Sequence, residues 1–245
     1  AQVADLNTFE NHIQTLLTKI PEGQTVDLQP LFFRLTLDSS TEFLMGESVH
    51  SLSRGDLPPM EDFGYLFDYA QNGLAKRSRL GPLYWTHRDS TFDYACNFCH
   101  TVVDKFVTRA LELKHGASKE KGENYVFLNE LAMRIEDPIA LRDEAMNIMI
   151  AGRDTTASLL SNLFVALAKN PEIWKRLHAE VQELNGQKPD YETLRNMKYL
   201  RNSLNEALRL YPPVPANGRL ATKDTILPLG GGPDGKSPIF VPKGS

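Results

Sequence analysis

Cysteine is scarce in this sequence: only Cys96 and Cys99 occur in 245 residues. Two cysteines cannot build a disulfide scaffold, and their scarcity favours a reducing compartment. No run of 18 or more apolar residues occurs, so no segment reads as a membrane span. The start, Ala1-Gln2-Val3-Ala4-Asp5, has neither a basic stretch nor an apolar run, so it does not read as a signal peptide. It also lacks an initiator Met, which suggests a start inside a longer protein. Positive charge is in deficit: 27 Lys and Arg stand against 31 Asp and Glu, for a net charge of −4. A general nucleic-acid binder would need a basic stripe, and the sequence has none. Internal repeats and low-complexity tracts are absent as well.

What is present is apolar patterning at helical spacing. Leu6, Phe9, Ile13, Leu16, Leu17 and Ile20 recur at steps of three and four and predict one amphipathic helix, which Pro21-Glu22-Gly23 stops. A second apolar run extends from Leu28 to Leu44, and a third from about Glu61 to Leu74, before a loop at Gly81-Pro82. Ser90-Thr91-Phe92-Asp93 resembles an acidic capping box and opens a fourth helix reaching about Lys114. The polar stretch Lys114 to Asn124 reads as a surface loop, because apolar patterning resumes directly after it.

Asp137 is a good N-cap and Pro138 suits the first helical position. Nothing stops a helix until Asn170-Pro171, so one long helix is expected over 138–169. Its middle and end are apolar on most sides, which predicts a buried element. Yet Gly152-Arg153-Asp154-Thr155-Thr156 interrupts its centre with poor helix formers. Another helix is expected from Pro171 to Asn185-Gly186, and a last one from about Leu200 to Leu210, ended by Pro212-Pro213. Short strands are expected at Arg219 to Ala221, Thr225 to Leu227 and Ile239 to Val241.

Four patterns carry chemical meaning. Cys96-Asn97-Phe98-Cys99-His100 matches the attachment pattern of c-type haem, with His100 as axial ligand. Against it, Phe92, Cys96, Cys99, Val103, Phe106 and Ala110 share one helical stripe, where cysteine acts as a small buried hydrophobe. Gly230-Gly231-Gly232 could cradle a phosphate only with a helix after it; Pro233, Asp234 and Gly235 follow instead, which predicts a hairpin turn. Glu206-Ala207-Leu208-Arg209 places an acid and a base three residues apart on a helix, in the first instance a solvated pair. Asp154-Thr155-Thr156 is the sharpest pattern. Thr155 could bond back to a carbonyl one turn earlier. That leaves a carboxylate in an apolar helix, which needs a partner or a task. An acid next to a hydroxyl, beside a glycine, suits a place where a flat ligand meets the helix and protons are relayed.

Taken together, these segments resemble a cytochrome P450, a haem-thiolate monooxygenase. Ala151-Gly152-Arg153-Asp154-Thr155-Thr156 resembles the family's oxygen-activation motif, and Glu206-Ala207-Leu208-Arg209 with the prolines after it resembles its Glu-x-x-Arg motif. Val26-Asp27-Leu28-Gln29-Pro30-Leu31-Phe32-Phe33-Arg34-Leu35-Thr36-Leu37-Asp38-Ser39 points to a closer branch, as do Asp224-Thr225-Ile226-Leu227-Pro228, the triple glycine and Val241-Pro242-Lys243-Gly244. These are similar to the fungal enzymes that hydroxylate n-alkanes and fatty acids.

The resemblance implies a mainly α fold with a small β part, an incomplete cytochrome P450 fold, with residues 1–245 as one partial domain. It implies haem as cofactor, electrons from NADPH through a separate reductase, and O2 and a hydrophobic molecule as substrates. Haem would lie against Ala151 and Gly152. Asp154 and Thr155 would be catalytic, and Thr156 would support the helix beside the cofactor. Glu206 and Arg209 would be structural, and Val214, Pro215, Ala216 and Asn217 would line the substrate pocket. The family's ligand cysteine follows all of these motifs, so no metal ligand is expected within the chain; it would lie beyond Ser245. An N-terminal anchor, also missing, would hold the full protein on the cytoplasmic face of the endoplasmic reticulum, and the fragment alone would be inactive. Two alternatives stand beside this: a c-type haem electron carrier using Cys96, Cys99 and His100, and a helical interaction module without catalysis.

Overall fold

The structure is a computed structural model that describes residues 6–54, 57–116 and 126–245. The chain divides into two compact units, Ala1–Pro213 and Val214–Ser245. Helices dominate the first: α1 (Asn7–Thr18), α2 (Leu28–Met45), α3 (Phe63–Leu80), a short 3-10 turn over Gly81–Thr86, α4 (Ser90–Lys114), α5 (Phe127–Ala132), α6 (Pro138–Lys169), α7 (Pro171–Gln182), α8 (Tyr191–Asn196) and α9 (Lys198–Leu210). The second unit holds an antiparallel pair, β1 (Thr225–Gly231) and β2 (Ser237–Val241).

Aspartate recurs as the starting signal. Asp27, Asp62, Asp89, Asp137 and Asp190 each accept a backbone N–H of the helix that follows, satisfying donors with no partner inside the helix. At α4 this corrects the expected cap: Asp89, and not Ser90, accepts from Thr91 N and Phe92 N. The short side chain of Asp89 reaches those amides without help from the acidic Asp93. Gly46 ends α2 with φ of 79°, and a Cβ there would come within 2.8 Å of Val126.

The main core gathers Leu37 and Leu44 of α2, Phe63 and Phe67 of α3, Cys99, Val103 and Val107 of α4, Leu128 of α5, and Leu141 and Met149 of α6. A second cluster joins Leu16, Phe32, Leu35, Leu52 and Ala157, and a third joins Leu163, Leu167, Leu177 and Ala207. Long α6 therefore crosses all three. It spans about 48 Å at the usual rise. Its buried residues Leu141, Ala145, Met149, Arg153 and Ala157 follow steps of four along its first part, and Leu163 and Leu167 continue the burial after a break. The expectation of a buried element holds along one stripe only: Ala151, Gly152, Thr156 and Val165 are exposed.

Two short helices, α5 and α8, escape the sequence patterns because six residues are too few to show a helical period. No strand forms at Arg219 to Ala221. Ala221 instead exchanges backbone hydrogen bonds with Gly244 and Ser245 at the base of the hairpin. The triple glycine belongs to that hairpin, with a register irregularity between Leu227 and Gly231 and a turn in which Gly232 and Gly235 take positive φ. At Gly231 a Cβ would meet the Pro238 carbonyl at 2.9 Å, so the strand pair closes only on glycine. Most of the expected loop over Lys114 to Asn124 lies outside the described residues.

Candidate active site

Steps of four along α6 turn Arg153 inward, onto α2 and α3. Arg153 is 2% exposed, the one buried charged residue of this helix among the described residues. Its guanidinium sits over two rings, 4.9 Å from the Phe33 centroid and 5.4 Å from that of Phe67. Its Nη1 donates to Asp68 Oδ1 of α3 at 2.5 Å and to Asp154 Oδ1 at 2.9 Å. A buried cation needs such partners, because desolvating it alone costs several kcal/mol. The carboxylate that the sequence left unexplained therefore has its partner next door. Burial pushes the Asp154 carboxyl above the usual carboxylate range; Arg153 opposes that shift, and the like charge of Asp68 adds to it.

One residue on, the Thr155 hydroxyl donates to the Ala151 carbonyl at 2.8 Å. The acid and the hydroxyl thus sit side by side and bond in different directions. Thr155 is half-buried, whereas Ala151, Gly152 and Thr156 are exposed. These form a face of α6 carrying small side chains. A Cβ at Gly152 would meet only Ser40 Oγ of α2, at 3.2 Å. The missing side chain therefore also permits the close approach of α2.

Glu206 and Arg209 form a forked pair on α9: Arg209 Nε donates to Oε2 at 2.8 Å and Nη2 to Oε1 at 2.7 Å. Both side chains are exposed, and the bond from Arg209 holds the Glu206 carboxyl below its usual range. Val214, Pro215, Ala216 and Asn217 open the second unit as exposed coil, where Asn217 Oδ1 accepts from Arg219. The structure thus brings Ala151, Gly152, Asp154, Thr155 and Thr156 onto one helix centre. Sequence reasoning missed Arg153 and Asp68. A cation between the glycine and the acid of an apolar helix was the available signal for the first; nothing local marks the second.

The two cysteines behave differently from a haem-attachment pair. Cys99 is 0% exposed within the main core, and burial pushes its thiol up to about 12. Cys96 is only half-buried, and burial raises its thiol too. The buried stripe of α4 runs through Phe92, Ala95, Cys99, Val103, Val107 and Ala110, which moves Cys96 and Phe106 off the expected line. A thioether at Cys99 would require opening that core. No group of three or more potential metal ligands occurs among the described residues.

Comparison with known proteins places this geometry. The family description for cytochrome P450 matches residues 7–231. Cytochrome P450 monooxygenase himC of Aspergillus japonicus is 48% identical over 99% of this chain and 45% of its own length. Cytochrome P450 52A3-A of Candida maltosa is 45% identical over 100% of this chain and 50% of its own. The chain spans about half the length of these curated relatives. Among solved structures, the cytochrome P450DA heme domain superposes with a TM-score of 0.69 at 20% identity, covering 97% of this chain and 50% of that one. A second cytochrome P450 crystal structure gives 0.72 at 18%, over 97% and 53%. The fold likeness agrees with a partial fold of this kind, and identity near one half along almost the whole length goes beyond a shared helical class: the chain belongs to the cytochrome P450 family.

Proposed function

We propose that this chain is the oxygen-activating half of a haem-dependent monooxygenase that hydroxylates n-alkanes or fatty acids at their ends. The observation that carries the reading is the Asp154–Thr155 pair: a half-buried acid with a raised pKa beside a hydroxyl, on a helix face lined by Ala151 and Gly152. Haem fits that face, because a flat macrocycle needs small side chains and the exposed Ala151, Gly152 and Thr156 supply them. The proximal thiolate does not fit Cys99, which is buried, nor Cys96 beside it on α4. We place that ligand outside these 245 residues. When bound, the haem supplies activation of O2 and insertion of one oxygen atom into a C–H bond.

The protein residues then handle protons. A carboxyl held above its usual range carries a proton closer to neutral pH than a free aspartate does. Asp154 brings that proton to the site, and the Thr155 hydroxyl, with its lone pairs free to accept, turns from the Ala151 carbonyl to donate forward. Thr156 keeps the helix face small next to the cofactor. Glu206 and Arg209 act structurally, and Val214, Pro215, Ala216 and Asn217 border the hydrophobic substrate. Electrons come from NADPH through a partner reductase. The branch assignment rests on the resemblance of Val26 to Ser39 and of the hairpin to fungal n-alkane and fatty-acid hydroxylases, together with relatives in Candida such as cytochrome P450 52A1 of Candida tropicalis. No helix among the described residues is long and apolar enough to cross a membrane. Attachment to the cytoplasmic face of the endoplasmic reticulum would therefore rest on an anchor outside this chain.

The c-type carrier finds no support in the buried Cys99, and a helical module without chemistry gives no task to the Asp154–Thr155 pair. The test uses the full-length protein with a fungal NADPH reductase, dodecane and lauric acid, and chromatography of the products. Terminal alcohols are expected, and Asp154→Asn should lower product per NADPH consumed. Absence of any hydroxylated product from either substrate class, in haem-replete enzyme, sinks the substrate assignment. Unchanged coupling in Asp154→Asn sinks the role of the acid.

A further inference from the structure

We propose that Arg153 is a positioning residue for Asp154, clamped between Phe33 and Phe67 so that one Nη1 is divided between Asp154 and Asp68 of α3. The proposal rests on the proton-handling role of Asp154 given above and adds what sets that acid.

Three observations carry it. Arg153 is 2% exposed and has no bulk water to compensate it. Its plane is held by two rings on two different helices, Phe33 of α2 and Phe67 of α3. A guanidinium stacked in this way cannot swing to follow one partner, and a lysine could not reproduce the geometry. Finally, both ion pairs use the same nitrogen, at 2.5 Å to Asp68 and 2.9 Å to Asp154, while Nε has no partner. The two carboxylates therefore share one terminal NH2 group, which offers each of them one N–H. Asp68 is the more exposed of the two, with half of its side chain open to solvent. It is also the one that α3 brings to the cluster, so the position of α3 sets how close a second negative charge stands to Asp154 and its guanidinium.

Other charged groups face the cluster. A cavity of about 420 Å³ borders Arg153 and is lined also by Arg34 of α2, Asp62 before α3, and Tyr65 and Asp68 of α3. Arg34 donates to the Ser51 carbonyl, and Asp62 accepts from Gly64 N and Tyr65 N. Arg34 and Asp62 thus have partners of their own, and among the described residues Asp68 is the carboxylate that shares Arg153 with Asp154.

The consequence has a definite sign. With Asp68 neutralised, a like charge disappears and the fixed guanidinium is countered by Asp154 alone, so the Asp154 carboxyl titrates lower. With Arg153 removed, burial and Asp68 act unopposed, so it titrates higher. The experiment follows the carbon-13 signal of the Asp154 carboxyl in full-length, substrate-free protein labelled at aspartate, assigned through Asp154→Asn. Asp68→Asn should move the midpoint down and Arg153→Met up, and product per NADPH should change its pH dependence in the same directions. Asp68→Asn is isosteric at a half-exposed position, so it reports even if Arg153→Met folds poorly. A midpoint unchanged in Asp68→Asn overturns the proposal. If that midpoint shifts while Asp154→Asn leaves coupling untouched, Arg153 still sets the acid and only the catalytic reading of Asp154 falls.

Discussion

The Thr155 hydroxyl donates to the Ala151 carbonyl, 2.8 Å away and one turn earlier on α6. This back-bond occupies the donor at rest and leaves both lone pairs of the oxygen available. It contributes little to helix stability, since such bonds slightly bend and weaken helices. Thr155→Ala in the full-length enzyme should therefore fold and bind haem and substrate normally. Productive turnover should drop by about 10²–10⁴-fold, the usual worth of a positioned proton donor. Peroxide release measured against NADPH use checks it, and unchanged coupling would remove Thr155 from the mechanism.

Gly73 of α3 faces Phe92 of α4, and a Cβ there would stand 2.0 Å from the ring. Alanine normally favours a helix by about 1 kcal/mol over glycine. Here Phe92 is 3% exposed, and the Arg77 guanidinium lies 4.9 Å from its centroid, so the ring has nowhere to go. Overpacking costs about 1–3 kcal/mol and should exceed the propensity gain. Gly73→Ala should lower the urea midpoint; a raised midpoint would mean that α3 and α4 separate freely.

Asp38 is 1% exposed in α2 and accepts from Ser51 N at 2.6 Å and Leu52 N at 2.8 Å. It ties the segment after α2 back onto the helix. Asp38→Ala orphans two buried donors, a loss on the order of 3 kcal/mol. Asp38→Asn keeps one acceptor oxygen and should fall between. Urea unfolding of the three proteins gives the ranking.

The Cys99 thiol, pushed up to about 12 by burial, makes stability depend on alkaline pH. Its folded pKa lies above the unfolded value of about 8.5. That contribution is fully present below pH ~8.5 and is lost progressively as pH rises towards 12. The difference in unfolding midpoint between the parent and Cys99→Ala should shrink across that range. The same burial keeps the thiol from ligating iron: haem added to residues 1–245, reduced under CO, should give no thiolate-type Soret band.

Much of the helical framework was legible because its signals are local. Asp137-Pro138 and Asn170-Pro171 bracket α6 with cap chemistry that acts within one turn. The candidate site was legible in part for the same reason: Ala151 to Thr156 is contiguous, so one helix centre carries it. α5 and α8 were not legible, since six residues show no period. Nor was the cap of α4, where Asp89 outcompetes Ser90 through the geometry of its own turn.

By itself the sequence determined where the long helices lie, that Cys99 sits on the buried face of α4, and that Asp154 needs a partner. Those follow from propensity, periodicity and the cost of a buried charge, none of which needs a distant residue. What else shares that neighbouring Arg153 was decided by tertiary structure alone. Asp68 lies 85 positions from Arg153, and only the packing of α3 against α6 brings them to 2.5 Å. The rings that hold the guanidinium come from α2 and α3 in the same way. A carboxylate's chemistry depends on the charge and burial around it, and those are properties of the packed helices rather than of any stretch of chain.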